Sequence, residues 1–147
     1  MSPGKPNPRS RARRLALQGL YEWQLSGNPP AEIETRYLIE KQGTRLDVAY
    51  FRELMKEVPK HVAELDEYIA PLLSRPFDEV DPVEKSVLRL GAYELAYHPE
   101  IPYRVVINEA VELAKTFGAE QGHRFINGIM DRLAASLREV EVRASRG

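Results

Sequence analysis

Steps of three and four residues keep to one face of an α-helix, and Arg11, Arg14, Gln18, Tyr21 and Leu25 are spaced in that way. A helix through this stretch lines up two guanidinium groups, a carboxamide and an aromatic ring. Arginine grips phosphate oxygens bidentately and stacks on bases. Tyrosine offers a stacking platform, and glutamine can read a base edge. The chemistry is that of holding a nucleic acid. Arg9 and Arg13 flank the stripe on another face. The alternative is structural: Tyr21 packs in a core and the arginines solvate the first turns of a helix. A second candidate lies in "GHRFINGIMDR", where Arg124 and Phe125 pair a cation with a ring. Phe125 equally suits a core anchor, since Ile129 and Met130 continue its stripe. Arg75, counted with the RNA-binding candidates, and Arg89 are further isolated cations. Glu84 can serve as no more than part of a helix cap.

The charge distribution favours a polyanion. The 147 residues carry a net charge of −1, but Lys5 and the four arginines give residues 1–14 a charge of +5 with no acid. The remainder, with 16 basic and 22 acidic side chains, carries −6. A basic arm on a mildly acidic body suits local binding of nucleic acid. The plainer reading is a solvated tail that aids solubility.

Catalytic signatures are weak. His61, His98 and His123 fall on different predicted elements, with no metal-ligand spacing among them. The sequence has no nucleophile elbow, phosphate loop or glycine-rich dinucleotide turn. The acidic pairs Asp78–Glu79 and Glu139–Glu141 read as solvated charge. The absence of cysteine rules out disulfides and thiolate chemistry and fits a cytoplasmic protein. No secretory signal or apolar run of membrane-spanning length is evident. No cofactor or metal is expected.

The elements that must position these residues are helices. Residues 1–9 read as a flexible basic start, rich in proline. From about Ser10 the pattern turns helical, with Ala16, Leu17 and Leu20 inward and Gly27 as terminator. Asn28 is placed to cap a second helix with Pro29 in its first turn. Phe51, Leu54, Val58, Val62, Leu65, Ile69 and Leu72 keep helical period over about six turns, and Pro59 must kink or split that segment. Asp81, Pro82 and Glu84 announce another start, and the helix that follows is apolar on most of its circumference, as a central helix would be. Two more helices follow, through Val106–Phe117 and Phe125–Leu137. "EVEVRASRG" reads as a frayed end. The expected fold is all-α, a single RNA-binding domain of about six or seven helices, with an N-terminal half over 10–76 and a C-terminal half over 77–140.

Several segments also carry a family resemblance: "RARRLALQGLYEWQLSG", "YFRELMKEV", "VEKSVLRLGAYEL", "IPYRVVINEAVELAKTFG" and "HRFINGIMDRLA". In this order and spacing, over roughly residues 9–137, they resemble the NusB family of transcription antitermination proteins. The resemblance implies two packed helical halves and a non-catalytic role. Proteins of this family pair with the small-subunit ribosomal protein that doubles as NusE and bind single-stranded boxA RNA in nascent transcripts. The complex joins RNA polymerase and other Nus factors and suppresses termination. Carried onto this sequence, the resemblance implies phosphate contacts at Arg9, Arg11, Arg13 and Arg14, with Gln18 and Tyr21 near that surface. It implies a second RNA contact at Arg124 and Phe125, and a NusE-facing role for Glu84 and Arg89. The same fold serves as an RNA-binding domain of cytosine methyltransferases, but 147 residues leave no room for their cofactor-binding domain. Two other readings stay open, a protein-interaction module without RNA and a subunit of an RNA-modifying enzyme. Both a monomer and a homodimer are compatible with the sequence.

Overall fold

The computed structural model describes residues 7–146, and its elements there are eight α-helices and two short 3-10 helices, with no strand. None of the described helices is long and apolar enough to cross a membrane. The chain divides into two compact units, Met1–Lys60 and His61–Gly147.

The first unit holds α1 (Pro8–Ser26), α2 (Pro30–Glu40) and α3 (Val48–Lys60), each packed on the other two. Asn7 sits in extended conformation, and its Oδ1 accepts the Ser10 N–H at 2.7 Å. Pro8 takes the first helical position, where its missing N–H costs nothing. The helix therefore starts earlier than expected and takes in Pro8 and Arg9; the rest of the expected flexible start, residues 1–6, lies outside the described residues. Gly27 ends α1 at φ +74°, a conformation that disfavours any side chain. The cap expected at Asn28 is not formed. Its N–H goes instead to the Ser26 hydroxyl at 3.0 Å, and Pro29 holds the position before α2. Asp47 Oδ1 accepts the Tyr50 N–H at 3.0 Å and so caps α3. Phe51, Leu54, Met55 and Val58 form the buried stripe of α3. Gly19 lets α1 approach it: a methyl group there would stand 2.7 Å from the Met55 sulfur.

Pro59 ends the long periodic segment, as two helices rather than a kink. Helix α3 stops at Lys60, and α4 (Val62–Ile69) begins after His61. The division between the units falls at this break and not at "RPFDEVD", because α4 packs on α5 (Pro82–Tyr97). The expected halves at 76/77 are corrected accordingly.

In the second unit α5 is central. Val87, Leu88, Leu90, Ala92, Tyr93 and Leu95 are all buried, and α6 (Tyr103–Phe117) and α7 (Gly122–Leu137) pack on it and on each other. Asp81 Oδ1 accepts the N–H groups of Val83 at 2.9 Å and Glu84 at 3.2 Å, as the capping pattern anticipates. The C-terminal stretch is not frayed over its described length. It forms α8 (Glu139–Arg146), with Val142 buried. Buried Arg138 is the reason. Its guanidinium donates to the carbonyls of Glu94, Leu95, His98 and Ile101 and, at 2.7 Å, to Glu141 Oε1. Glu141 in turn accepts the Tyr103 N–H at 2.8 Å.

Candidate nucleic-acid interface

Helix α1 presents two faces of different character. Ala12, Leu15, Ala16, Leu17 and Leu20 are buried and fasten it. Arg11, Gln18, Tyr21 and Leu25 are exposed and Arg14 is half-buried, so the stripe read from the sequence stands at the surface. Tyr21 is 36% exposed, enough ring surface for a base to stack on. The Gln18 Nε2 donates to the Arg14 carbonyl at 3.2 Å, which holds the amide along the stripe. Arg11 Nη1 donates to the Arg45 carbonyl at 3.2 Å. That contact steadies Arg11 and uses one of its five N–H donors, leaving the others for a ligand. It also brings the exposed Arg45 beside Arg11. Arg45 is not among the residues singled out from the sequence, where its positive charge is the only signal.

The other two arginines of the start serve the fold. Arg9 lies half-buried with its guanidinium 4.3 Å from the Tyr50 ring centre and its Nε 3.8 Å from Asp47 Oδ2. Arg13 is 3% exposed, with its guanidinium 5.5 Å from the same ring. The expected phosphate contact at Arg13 is therefore corrected: a side chain so covered does not reach a ligand at the surface. Tyr50 has an arginine against it at each of two positions one helical turn apart. This arrangement joins the first turns of α1 to the start of α3.

The second unit brings Arg75 and Phe125 together. The Arg75 guanidinium stands 5.4 Å from the Phe125 ring centre, and Phe125 is half-buried. Phe125 is thus neither fully covered, as a core anchor would be, nor fully open. Arg124 beside it is exposed.

Glu84 and Arg89 are more enclosed than a partner-facing role suggests. Glu84 is 7% exposed, its carboxylate against the start of α7: a methyl group on Gly122 would stand 3.0 Å from Glu84 Oε1. Burial, with the nearby Asp81 charge, pushes the Glu84 carboxyl above the usual range, and Arg75 offsets part of this. Arg89 is half-buried. It grips Asp66 with Nε at 2.8 Å and Nη2 at 2.9 Å and lies over the Phe77 ring at 5.3 Å. Among the described residues no group of three His, Cys, Asp or Glu side chains is arranged to hold a metal.

The NusB family model matches residues 10–135, nearly the whole described chain. This chain belongs to the NusB family. The transcription antitermination protein NusB of Shewanella piezotolerans is 56% identical over 131 residues, 89% of this chain and 97% of the relative. That of Nitrosococcus oceani is 54% identical over 139 residues, 94% and 93% of the two chains. Among solved structures, a crystal structure of the antitermination factors NusB and NusE in complex with dsRNA superposes with a TM-score of 0.79 at 30% identity, covering 86% of this chain and 96% of the other. Thermotoga maritima NusB superposes with a TM-score of 0.74 at 28% identity, covering 88% and 92%. The all-α NusB fold expected from the sequence is the one observed.

Proposed function

We propose that this protein is a non-catalytic transcription antitermination factor that acts in the cytoplasm. It binds the single-stranded boxA element of nascent ribosomal transcripts with the ribosomal protein NusE, and so helps to assemble the antitermination complex on RNA polymerase. One observation carries the reading: a capped, anchored α1 whose outward stripe is Arg11, Arg14, Gln18 and Tyr21. Arg11 and Arg14 take phosphates, Tyr21 stacks on a base and Gln18 reaches a base edge. In the second unit Arg124 and the open side of Phe125 take a further stretch of RNA, with Arg75 steadying the ring. Arg89 on α5 faces NusE, whereas Glu84, buried against the start of α7, lies behind the helix that carries Arg124 and Phe125.

A platform of exposed rings favours unpaired bases, since stacking needs bases released from a helix. The test is a titration of boxA RNA, scrambled RNA and the same sequence as a duplex, each with and without NusE. The expected order of affinity is single-stranded boxA above scrambled RNA and above duplex, with the largest margin when NusE is present. Equal affinity for boxA and scrambled RNA in the presence of NusE overturns the reading. About three phosphate contacts, from Arg11, Arg14 and Arg124, give a log–log salt slope of about −2. Arg11→Ala with Arg14→Ala removes two of these. The slope then falls to about −0.7, and affinity drops about 100-fold if each charge-assisted contact contributes about 1.5 kcal/mol.

A further inference from the structure

A groove of about 370 Å³ opens between α6, α7 and α8 and takes no part in the RNA surface described above. Its walls are polar: Arg104 and Asn108 from α6, Asn127 and Asp131 from α7, and Arg146 from α8. We propose that this groove is a docking site for an extended acidic peptide segment of a partner protein.

The chemistry of the walls selects that occupant. Asn108 and Asn127 stand exposed on two different helices, and among the described residues neither side chain makes a hydrogen bond, nor does Asp131 make one or an ion pair. A carboxamide offers two donors and an acceptor, the complement of a peptide unit's C=O and N–H. Two such amides facing one groove can hold a backbone that has no partner of its own. Asp131 accepts a further backbone N–H. Arg104 and Arg146 then leave the groove with an excess of one positive charge, which suits acidic side chains on the segment.

RNA fits less well. Tyr103, the one aromatic residue at the groove, is 8% exposed and its hydroxyl is engaged with Ser145 Oγ at 2.8 Å. The Arg104 guanidinium covers the ring at 5.5 Å. No face is left for a base to stack on, and Asp131 repels phosphate. The third wall is held in place, since Glu141 ties α8 to the Tyr103 N–H and Arg138 ties Glu141 to the end of α5. Little ordering of the groove is then needed on binding, which favours a weakly held chain segment.

The test uses the full chain, labelled for NMR at the asparagine side chains. It is titrated with a pool of capped octapeptides carrying glutamate at alternate positions and randomised residues between. A pool with lysine at the fixed positions and a scrambled single-stranded RNA serve as comparisons. Saturable shifts of the Asn108 and Asn127 amide signals with the glutamate pool alone are expected. Asn108→Ala with Asn127→Ala should weaken half-saturation, followed at the groove backbone amides, about tenfold. The same variant should keep its boxA affinity. No saturable shift with the glutamate pool, or an equal shift with the lysine pool, overturns the proposal. An equal shift with the RNA gives the groove to nucleic acid and overturns it as well.

Discussion

Arg138 shows how much one residue can carry in this fold. A helix ends with carbonyls that have no intrahelical partner. At the end of α5 the Leu95 carbonyl meets the Arg138 guanidinium, which also takes the Ile101 carbonyl and Glu141 and adds a second donor to the carbonyls of Glu94 and His98, already bonded by the N–H groups of His98 and Ile101. With 8% exposure, little water can replace it. Arg138→Ala leaves the Leu95 and Ile101 carbonyls unsatisfied and Glu141 without its cation. The expected loss is about 3–5 kcal/mol of stability, read as a fall in the urea midpoint. Arg138→Lys keeps the charge but not the planar fork, so it should recover only part of that loss. An alanine variant that unfolds at the wild-type midpoint would show that α8 and the end of α5 are held by something else. The arginines of α1 divide in a comparable way. Arg11 and Arg14 face outward, whereas Arg9 and Arg13 lie against Tyr50.

At the scale of the element, the binding role proposed for α1 requires its first turn to be formed, because Arg11 lies within it. The Asn7 side chain holds that turn through one hydrogen bond, from the Ser10 N–H. Asn7→Ala should cost about 1 kcal/mol and loosen the turn, so that boxA affinity falls although no RNA-facing residue has changed. Asn7→Ser retains a capping oxygen and should restore both. A full recovery of stability by serine without recovery of RNA affinity would mean that Asn7 touches the RNA itself. Local signals of this kind were legible in the sequence. The Asp81 cap, the Gly27 terminator and the outward stripe of α1 all depend on residues a few positions apart. What the sequence hid depends on residues far apart along the chain. Arg13 reads as a surface cation until Tyr50 is brought beside it. "EVEVR" reads as a frayed end until Arg138, Glu141 and Tyr103 meet. The unit boundary at Lys60–His61 was hidden for the same reason. Periodicity carries on through Pro59, and only the packing of α4 on α5 assigns the second helix to the second unit.

At the scale of the whole molecule, carboxylates set how stability responds to pH, and they pull in opposite directions. The Arg36 guanidinium, helped by the Tyr37 hydroxyl, holds the Glu22 carboxyl below its usual range. The hydroxyls of Tyr97 and Tyr68 do the same for Glu64, and the Tyr103 N–H with Arg138 for Glu141. Each of these three favours the folded state above the unfolded carboxylate value, about 4.3, and that contribution is lost as pH falls through the lowered folded value. Glu84 acts the other way. Its carboxyl is raised by burial, so the folded chain holds its proton over a window where the unfolded chain has released it. Stability attributable to Glu84 therefore falls as pH rises from the unfolded value through the raised folded value, and stays low above it. Glu84→Gln keeps the shape and removes the charge. The variant should be more stable than the wild type at pH 7, and the difference should shrink steadily towards pH 4, where both side chains are neutral when folded. Urea denaturation of the two proteins between pH 4 and pH 8 measures the gap directly. A gap that does not change with pH would mean that Glu84 ionises normally inside the fold, and a wild type more stable at pH 7 would mean that its negative charge is favoured beside the start of α7. In either case the positive end of that helix would have to stabilise the carboxylate strongly enough to outweigh its burial.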